Sequence, residues 1–370
     1  MDITERIPSR ISQIKKYKAG STVDDYIKKY GIDKDSLIRL SSNENPYGPS
    51  PLIAEKLRSI TDKLNLYPET DYRAIKKTFA ERVNVEYENV TVGNGSDELF
   101  LLCSLVFGDE KEAIIPEPSF TWYRTCLLLS NATQITLPIL EDKNFVLTSE
   151  EIINAVTKNT TLLFLASPNN PTGYRMPYNE LEKVAIECEN QCIVIDEAYY
   201  DFCNDRSAVD LIEYENVVVT RTMSKAYALA GVRVGFLVAH KKIISILEKI
   251  KPPFNINSVG IVATKTALED QQFFSATVDK IKSERTRVFN SLSSFHGIKV
   301  YPSDANFLFM KITKEGLNSE KVFLKLLKRG ILVRNCSSFD LCNDNYIRVT
   351  TGTSEENDAF LHALQSILKE

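Results

Sequence analysis

The chain has 370 residues, 43% of them hydrophobic and 25% charged, with a formal net charge of −4. That balance suits a globular chain of two domains, or one large α/β domain with a smaller satellite, and offers no basic surface for nucleic acid. No apolar stretch reaches bilayer length and MDITERIPSR lacks a signal-peptide core, so a cytoplasmic protein without a membrane partner is expected.

Residues 1–45 are polar and punctuated by Gly20 and Gly31, with Pro46 just beyond. They read as an arm that packs with a smaller domain or a partner subunit. From about Asn89 to Ala239 the apolar runs EAIIPEP, TQITLPI, TLLFLAS, QCIVID, NVVVTRT and VGFLVA alternate with DELFLLCSLVF, SFTWYRTCLLL and NELEKVAIECE. Short runs rich in Val, Ile and Leu are buried strands, and the longer stretches have helical spacing. The alternation predicts an α/β domain over 46–250 with a mainly parallel sheet. After Lys241 helices are predicted at 241–250, 258–268, 276–294, 319–329 and 354–368. The strand candidates KVYPS, NFLFMK, GILVRN and NYIRVTT lie among them. This is a smaller α+β domain over 251–370, joined through KPPFNIN.

Seven cysteines, an odd number without a paired C-x-x-C pattern, argue against a disulfide framework or a zinc knuckle. His240, His296 and His362 are far apart, so no metal site is expected. The chemistry must rest on lysine, acids, hydroxyls or a borrowed cofactor.

Three segments carry that chemistry. In VGNGSDELF a strand leads through Gly93 and Gly95 into a helix, and the free N–H groups at such a start favour an anion; an ordinary N-cap at Ser96 or Asp97 explains the same residues. In QCIVIDEAYYDF, Asp196 closes a buried strand, at the sheet edge where ligands of open α/β folds collect. It is either a structural acid or the partner of a cation, and Tyr199 lies three residues on. In VVVTRTMSKAYALAGVRVGF, Lys225 follows Thr220, Thr222 and Ser224 among small residues, with Arg233 eight positions later. Such surroundings desolvate an amine, lower its pKa and make it nucleophilic, where most lysines are surface charges.

Together with SPNNPTGY (167–174), these segments resemble the fold-type I pyridoxal-phosphate aminotransferases, through Asn-Pro-Thr-Gly, Asp-x-x-Tyr and a Ser-x-x-Lys-like element in which Thr222 stands where many relatives have serine. The resemblance runs over nearly the whole chain. Within that superfamily SSNENPYGPSP, LYPETDY, GNGSDELF, KPPFNIN, SDANFLF, RGILVRN and YIRVTTGTSEEN are most similar to the histidinol-phosphate aminotransferases. Aromatic-amino-acid aminotransferases and threonine-phosphate decarboxylases share much of the pattern and stay open as alternatives. A catalytically inactive binding protein is disfavoured by the intact Lys225, Asp196, Asn170 and Arg233.

The resemblance implies a homodimer with shared active sites, working on an amino donor and a 2-oxo acid. It implies that Lys225 holds pyridoxal 5′-phosphate covalently and shuttles the substrate proton. Asp196 would pair with the ring nitrogen, Asn170 and Tyr199 with the ring 3′ oxygen, and Phe120 would stack on the ring. Gly95, Ser96, Asp97, Thr222, Ser224 and Arg233 would surround the phosphate, Asp97 through its N–H alone, with Tyr67 reaching in from the partner. Tyr17, Asn45, Arg334 and Arg348 would face the substrate.

Overall fold

A computed structural model describes residues 3–14, 29–31 and 36–370; the expected substrate residue Tyr17 lies outside them. Two sheets organise the chain. The first has seven strands in the order β2-β8-β7-β6-β5-β3-β4. Their ranges are β2 Val90–Gly93, β3 Glu112–Glu117, β4 Thr133–Pro138, β5 Thr160–Ala166, β6 Cys192–Asp196, β7 Val217–Thr222 and β8 Gly235–Ala239. From β4 across to β7 neighbours run parallel, while β8 is antiparallel to both β7 and β2. The mainly parallel α/β sheet expected from the alternating runs is therefore present.

The continuous apolar runs are explained by burial on both faces. Leu162, Phe164, Val194 and Val218 pack under the helices Ser96–Phe107, Trp122–Leu129 and Lys241–Ile250. Their neighbours Leu163, Leu165, Ile193, Ile195 and Val219 face the opposite layer, with Phe79, Leu181 and Val184. A period of two thus sorts each run into two cores.

The second sheet has the order β1-β11-β12-β10-β9, with β1 Ile38–Leu40, β9 Ile298–Tyr301, β10 Phe307–Ile312, β11 Ile331–Asn335 and β12 Tyr346–Thr350. Its edge strand comes from the arm: β1 pairs in parallel with β11, Ile38 opposite Ile331. One face, with Leu308, Met310, Ile347 and Val349, packs on Leu326, Phe360 and Leu364. The last two belong to the helix Ser354–Lys369, which starts in a capping box between Thr353 and Glu356.

The other face looks toward the first sheet. In register there, Phe309 sits opposite Tyr301 and Arg348, and Arg348 opposite Arg334. Phe145, from the loop after β4, stands edge-on to Tyr301, Phe309 and Tyr346 at 5.0, 5.4 and 5.9 Å. Beside it Glu141 accepts from Lys311 Nζ at 2.6 Å and from the Tyr301 and Tyr346 hydroxyls at 2.7 Å each. Burial alone would push that carboxyl up, but the three donors outweigh it and hold it at about 2. The carboxylate stays charged at neutral pH and ties the two sheets together.

The expected boundary at residue 251 falls in the loop after the helix Lys241–Ile250. The helix Ser258–Glu269 nevertheless returns to pack on Leu52–Arg58 and Arg73–Val83. The long helix Gln271–Ser293 gives Val278 and Ile281 to the first core and Val288 and Leu292 to the second. The division between the cores therefore falls inside that helix. Among the described residues no helix is long and apolar enough to cross a membrane.

Candidate active site

The carboxyl ends of β5, β6 and β7 meet along one edge of the first sheet. Asp196 ends β6 in register with Ala166 and Thr220, and its carboxylate enters a cavity of about 600 Å³. The adjacent Glu197 is used elsewhere: it accepts from the buried Arg221 at 2.8 Å, whose guanidinium lies 3.9 Å over the Tyr200 ring. Burial pushes the Asp196 carboxyl up to about 6 although Tyr123, the Ala198 N–H and Thr220 all donate to it. A buried acid held in this way favours a cation placed against its open side.

Lys225 lies in the loop after β7, half-buried, with Nζ donating to Ser42 O at 3.0 Å. Burial lowers its pKa to about 8, and the Arg348 charge adds to the effect, while Glu44 and Asp97 oppose it. A useful share of the amine is therefore neutral near physiological pH. Tyr199 and Asn170 line the same cavity. Arg348 donates to Asn170 Oδ1, which turns the Asn170 amide N–H₂ away from that contact. Arg348 also donates to Ser41 O at 2.6 Å.

The anion cradle forms where β2 turns into the helix Ser96–Phe107. Gly95 has φ 76°, and a Cβ there would collide with the Arg233 guanidinium. Gly235 is needed for a second reason: its Cβ would come within 2.6 Å of Ser96 N. Arg233 donates to Ser224 Oγ at 3.2 Å, and Ser224 N–H donates to Thr222 Oγ1 at 3.1 Å. Helix N–H groups, two hydroxyls and a guanidinium together suit a phosphate. The Asp97 side chain was expected to stay out of this set, but its carboxylate accepts from Arg233 at 3.1 Å. An unmatched guanidinium beside a carboxylate accounts for the pairing, and a phosphate would compete for the same donor.

Phe120 lines the cavity with its ring edge-on to Tyr123, centroids 5.5 Å apart. Arg334 and Arg348 line it from adjacent strands of the second sheet, and Arg334 also donates to Ser338 Oγ at 3.0 Å. Two expected residues lie outside the cavity, one of them, Tyr67, expected to serve the partner's site instead. Asn45, expected at the substrate, bonds within the chain: Nδ2 donates one hydrogen to Ala226 O at 2.9 Å and Oδ1 accepts from Tyr47 N–H at 3.0 Å. These bonds steady the loop that carries Lys225. Tyr67 does not line its own chain's cavity; it is 80% exposed and stacked on Phe254 at 4.4 Å.

Sequence reasoning missed Tyr123, which holds Asp196, and the Ser41–Asn43 segment, which touches three of the groups above. Tyr123 lies three residues after Phe120, but Phe120 precedes the helix Trp122–Leu129, so no shared helical face marked it. The residues present fit the phosphorylated pyridine aldehyde that the resemblance implies: an amine for the aldehyde, an acid for the ring nitrogen, and a cradle for the phosphate.

The sequence profile of the family described as aminotransferase class I and II matches residues 35–364. The histidinol-phosphate aminotransferase of Methanocaldococcus jannaschii is 39% identical over 371 residues, 99% of this chain and 98% of the relative. The solved histidinol-phosphate aminotransferase from Clostridium acetobutylicum is similar with TM-score 0.84 and 26% identity, covering 90% of this chain and 99% of its own. The one from Sinorhizobium meliloti, in complex with pyridoxal-5′-phosphate, has TM-score 0.86 and 24% identity over 98% of each chain, a likeness of fold.

Proposed function

We propose, from the premise that this chain belongs to the class I and II aminotransferase family, that it moves the amino group of L-histidinol phosphate to 2-oxoglutarate. The products are imidazole acetol phosphate and L-glutamate, a step of histidine biosynthesis. The chain is an aminotransferase that uses pyridoxal 5′-phosphate. The observation that carries the substrate reading is a single cavity lined by Lys225 and Asp196 and also by two guanidinium groups, Arg334 and Arg348, on one sheet face. Two anionic substrates of different shape, one a phosphate and one a dicarboxylate, need such a pair.

When bound, the cofactor supplies an electron sink for charge that develops at the substrate α-carbon. Asp196 would hold a proton at the ring nitrogen. Tyr199 and Asn170 would donate to the ring oxygen, and Arg233, Thr222, Ser224 and the N–H groups from Gly95 to Asp97 would hold the phosphate. Lys225 Nζ would hold the aldehyde until the amine substrate arrives, then take the substrate α-proton and pass it to the carbon that had carried the aldehyde. Its lowered pKa of about 8 matches that task.

Arg348 is proposed to receive the glutamate α-carboxylate and Arg334 the histidinol phosphate group. Arg348→Gln should then damage the glutamate half-reaction more, and Arg334→Gln the histidinol-phosphate half. Each loss should be about 2–4 kcal/mol, the worth of one charge-assisted contact with its partner left unpaired. Stopped-flow spectra with each substrate alone measure this. Equal damage in both halves would establish one shared anion site. If wild type reacts with phenylalanine and ignores histidinol phosphate, the aromatic aminotransferase replaces this reading. Carbon dioxide released from threonine phosphate would replace it with the decarboxylase, but the 39% identity to the Methanocaldococcus jannaschii enzyme favours histidinol phosphate.

The working unit is proposed to be a homodimer. Tyr67 stands beside the exposed Leu64 and Leu66, an apolar strip that supports burial against a second copy. There Tyr67 would reach the partner's cofactor phosphate. Mixing inactive Tyr67→Ala and inactive Lys225→Ala proteins should regenerate part of the activity in hybrid dimers. No recovery after demonstrated subunit exchange would put both residues in one subunit's site. Seven free cysteines support work in a reducing compartment, the cytoplasm.

A further inference from the structure

Three consecutive arm residues each touch a catalytic group. Ser41 O accepts from Arg348 and Ser42 O from Lys225. Asn43 Nδ2 donates to the Tyr199 hydroxyl at 2.9 Å, and this third contact has a direction that the surrounding bonds impose. The Asn43 N–H donates to Thr350 Oγ1 at 2.9 Å, which occupies a lone pair of that hydroxyl. Thr350 then sends its own proton to Asn43 Oδ1, 3.2 Å away. With Oδ1 accepting from Thr350, the Asn43 amide presents Nδ2 to Tyr199. The phenol oxygen therefore accepts, and its own proton is left for the cavity that Tyr199 lines.

The backbone supports this arrangement. Asn43 is only 1% exposed and sits in the left-handed region at φ 55°, which asparagine tolerates better than most residues. Asn306 Nδ2 fixes its carbonyl at 3.0 Å. Phe307 stands edge-on to the Tyr199 ring at 5.1 Å and limits the phenol's movement.

We propose that Asn43 is a positioning residue that sets Tyr199 as a hydrogen-bond donor toward the cofactor's ring oxygen. The inference rests on the reading that this cavity holds pyridoxal phosphate. Thr350 and Asn306 belong to the second sheet and its approach, while Tyr199 follows β6 of the first. The donor direction of the phenol therefore depends on the arm being seated between the two sheets.

The test uses the pH at which the absorbance of the lysine-bound cofactor changes, in holoenzyme carrying one of four sets of substitutions. Asn43→Asp keeps the shape of the side chain but removes its donor, so the carboxylate draws the Tyr199 proton away from the cavity. Its midpoint should rise by about one pH unit, the scale of one lost hydrogen bond, as should that of Tyr199→Phe. Thr350→Val removes the orienting hydroxyl without adding charge and should give a smaller rise of the same sign, which keeps the test usable if Asn43→Asp does not fold. Thr350→Val combined with Tyr199→Phe, which adds no charge, should add nothing to Tyr199→Phe alone, because the effect runs through the phenol. An additive shift in the double variant, or unmoved midpoints in Asn43→Asp and Thr350→Val, overturns the proposal. An unmoved midpoint in Tyr199→Phe itself would instead remove the cofactor placement on which it rests.

Discussion

Lys225→Ala protein is expected to bind pyridoxal phosphate through the cradle around Arg233 and yet lose the lysine-bound absorbance band. Turnover should fall by about 10⁴-fold or more, since in the proposed mechanism one amine supplies both the covalent anchor and the proton transfer. The size of the loss follows from what else lines the cavity. Its other cations, Arg233, Arg334 and Arg348, are guanidinium groups, which do not give up a proton in proteins. No second lysine or histidine lines it among the described residues, so no other amine there can replace the covalent anchor. Absorbance spectra and steady-state turnover of the purified variant measure both effects. Ordinary turnover would end the assignment of Lys225.

Asp196→Asn should slow both half-reactions by about 10³-fold or more, because the charge proposed to hold a proton on the ring nitrogen is removed. The geometry adds a second cost. Tyr123, the Ala198 N–H and Thr220 all donate to the carboxylate. An amide offers one acceptor where two stood, so at least one of these buried donors loses its partner. Cofactor affinity should fall along with rate. A cofactor methylated at the ring nitrogen carries its positive charge permanently, and it should rescue the variant more than it helps wild type. Equal response of the two proteins to the methylated cofactor would count against the role given to Asp196.

Much of the first sheet was legible because both its faces are buried. That makes each strand a continuous apolar run, as in TLLFLAS and QCIVID, and the run's end marks the edge where Asp196 stands. The second sheet's strands were legible as short apolar runs such as NFLFMK, although β9 is only partly buried, but its edge at β1 was not. β1 is only Ile38–Leu40, too short to show a period, and its partner β11 begins at Ile331. The helix Ser149–Ala155 carried a readable capping box, Thr148 with Glu151, that the apolar pattern alone overlooked. At the candidate site, Lys225, Asp196 and Arg233 were named from local motifs, and all three line one cavity. Asn43 and Tyr123 act through partners distant in sequence, Tyr199 with Thr350 and Asp196 respectively, and such pairing leaves no local trace. Asn45 was named from the most recognisable segment of the arm, and its amide bonds to the backbone of Ala226 and of Tyr47.

The pairing of β1 with β11 has a consequence for how the molecule is made. A strand near the start of the chain waits for one near its end, so the second sheet closes only after almost all of the chain has been synthesised. Contacts of such long range are slow to form, because the entropy of closing the loop is lost before the contact is gained. The first sheet, built from strands within 90–239, can assemble much earlier. Ser41 to Asn43 directly follow β1, and their bonds to Arg348, Lys225 and Tyr199 can form only when that strand docks. Catalytic competence is then the last event in folding, and a chain that has completed its larger core still lacks a finished site.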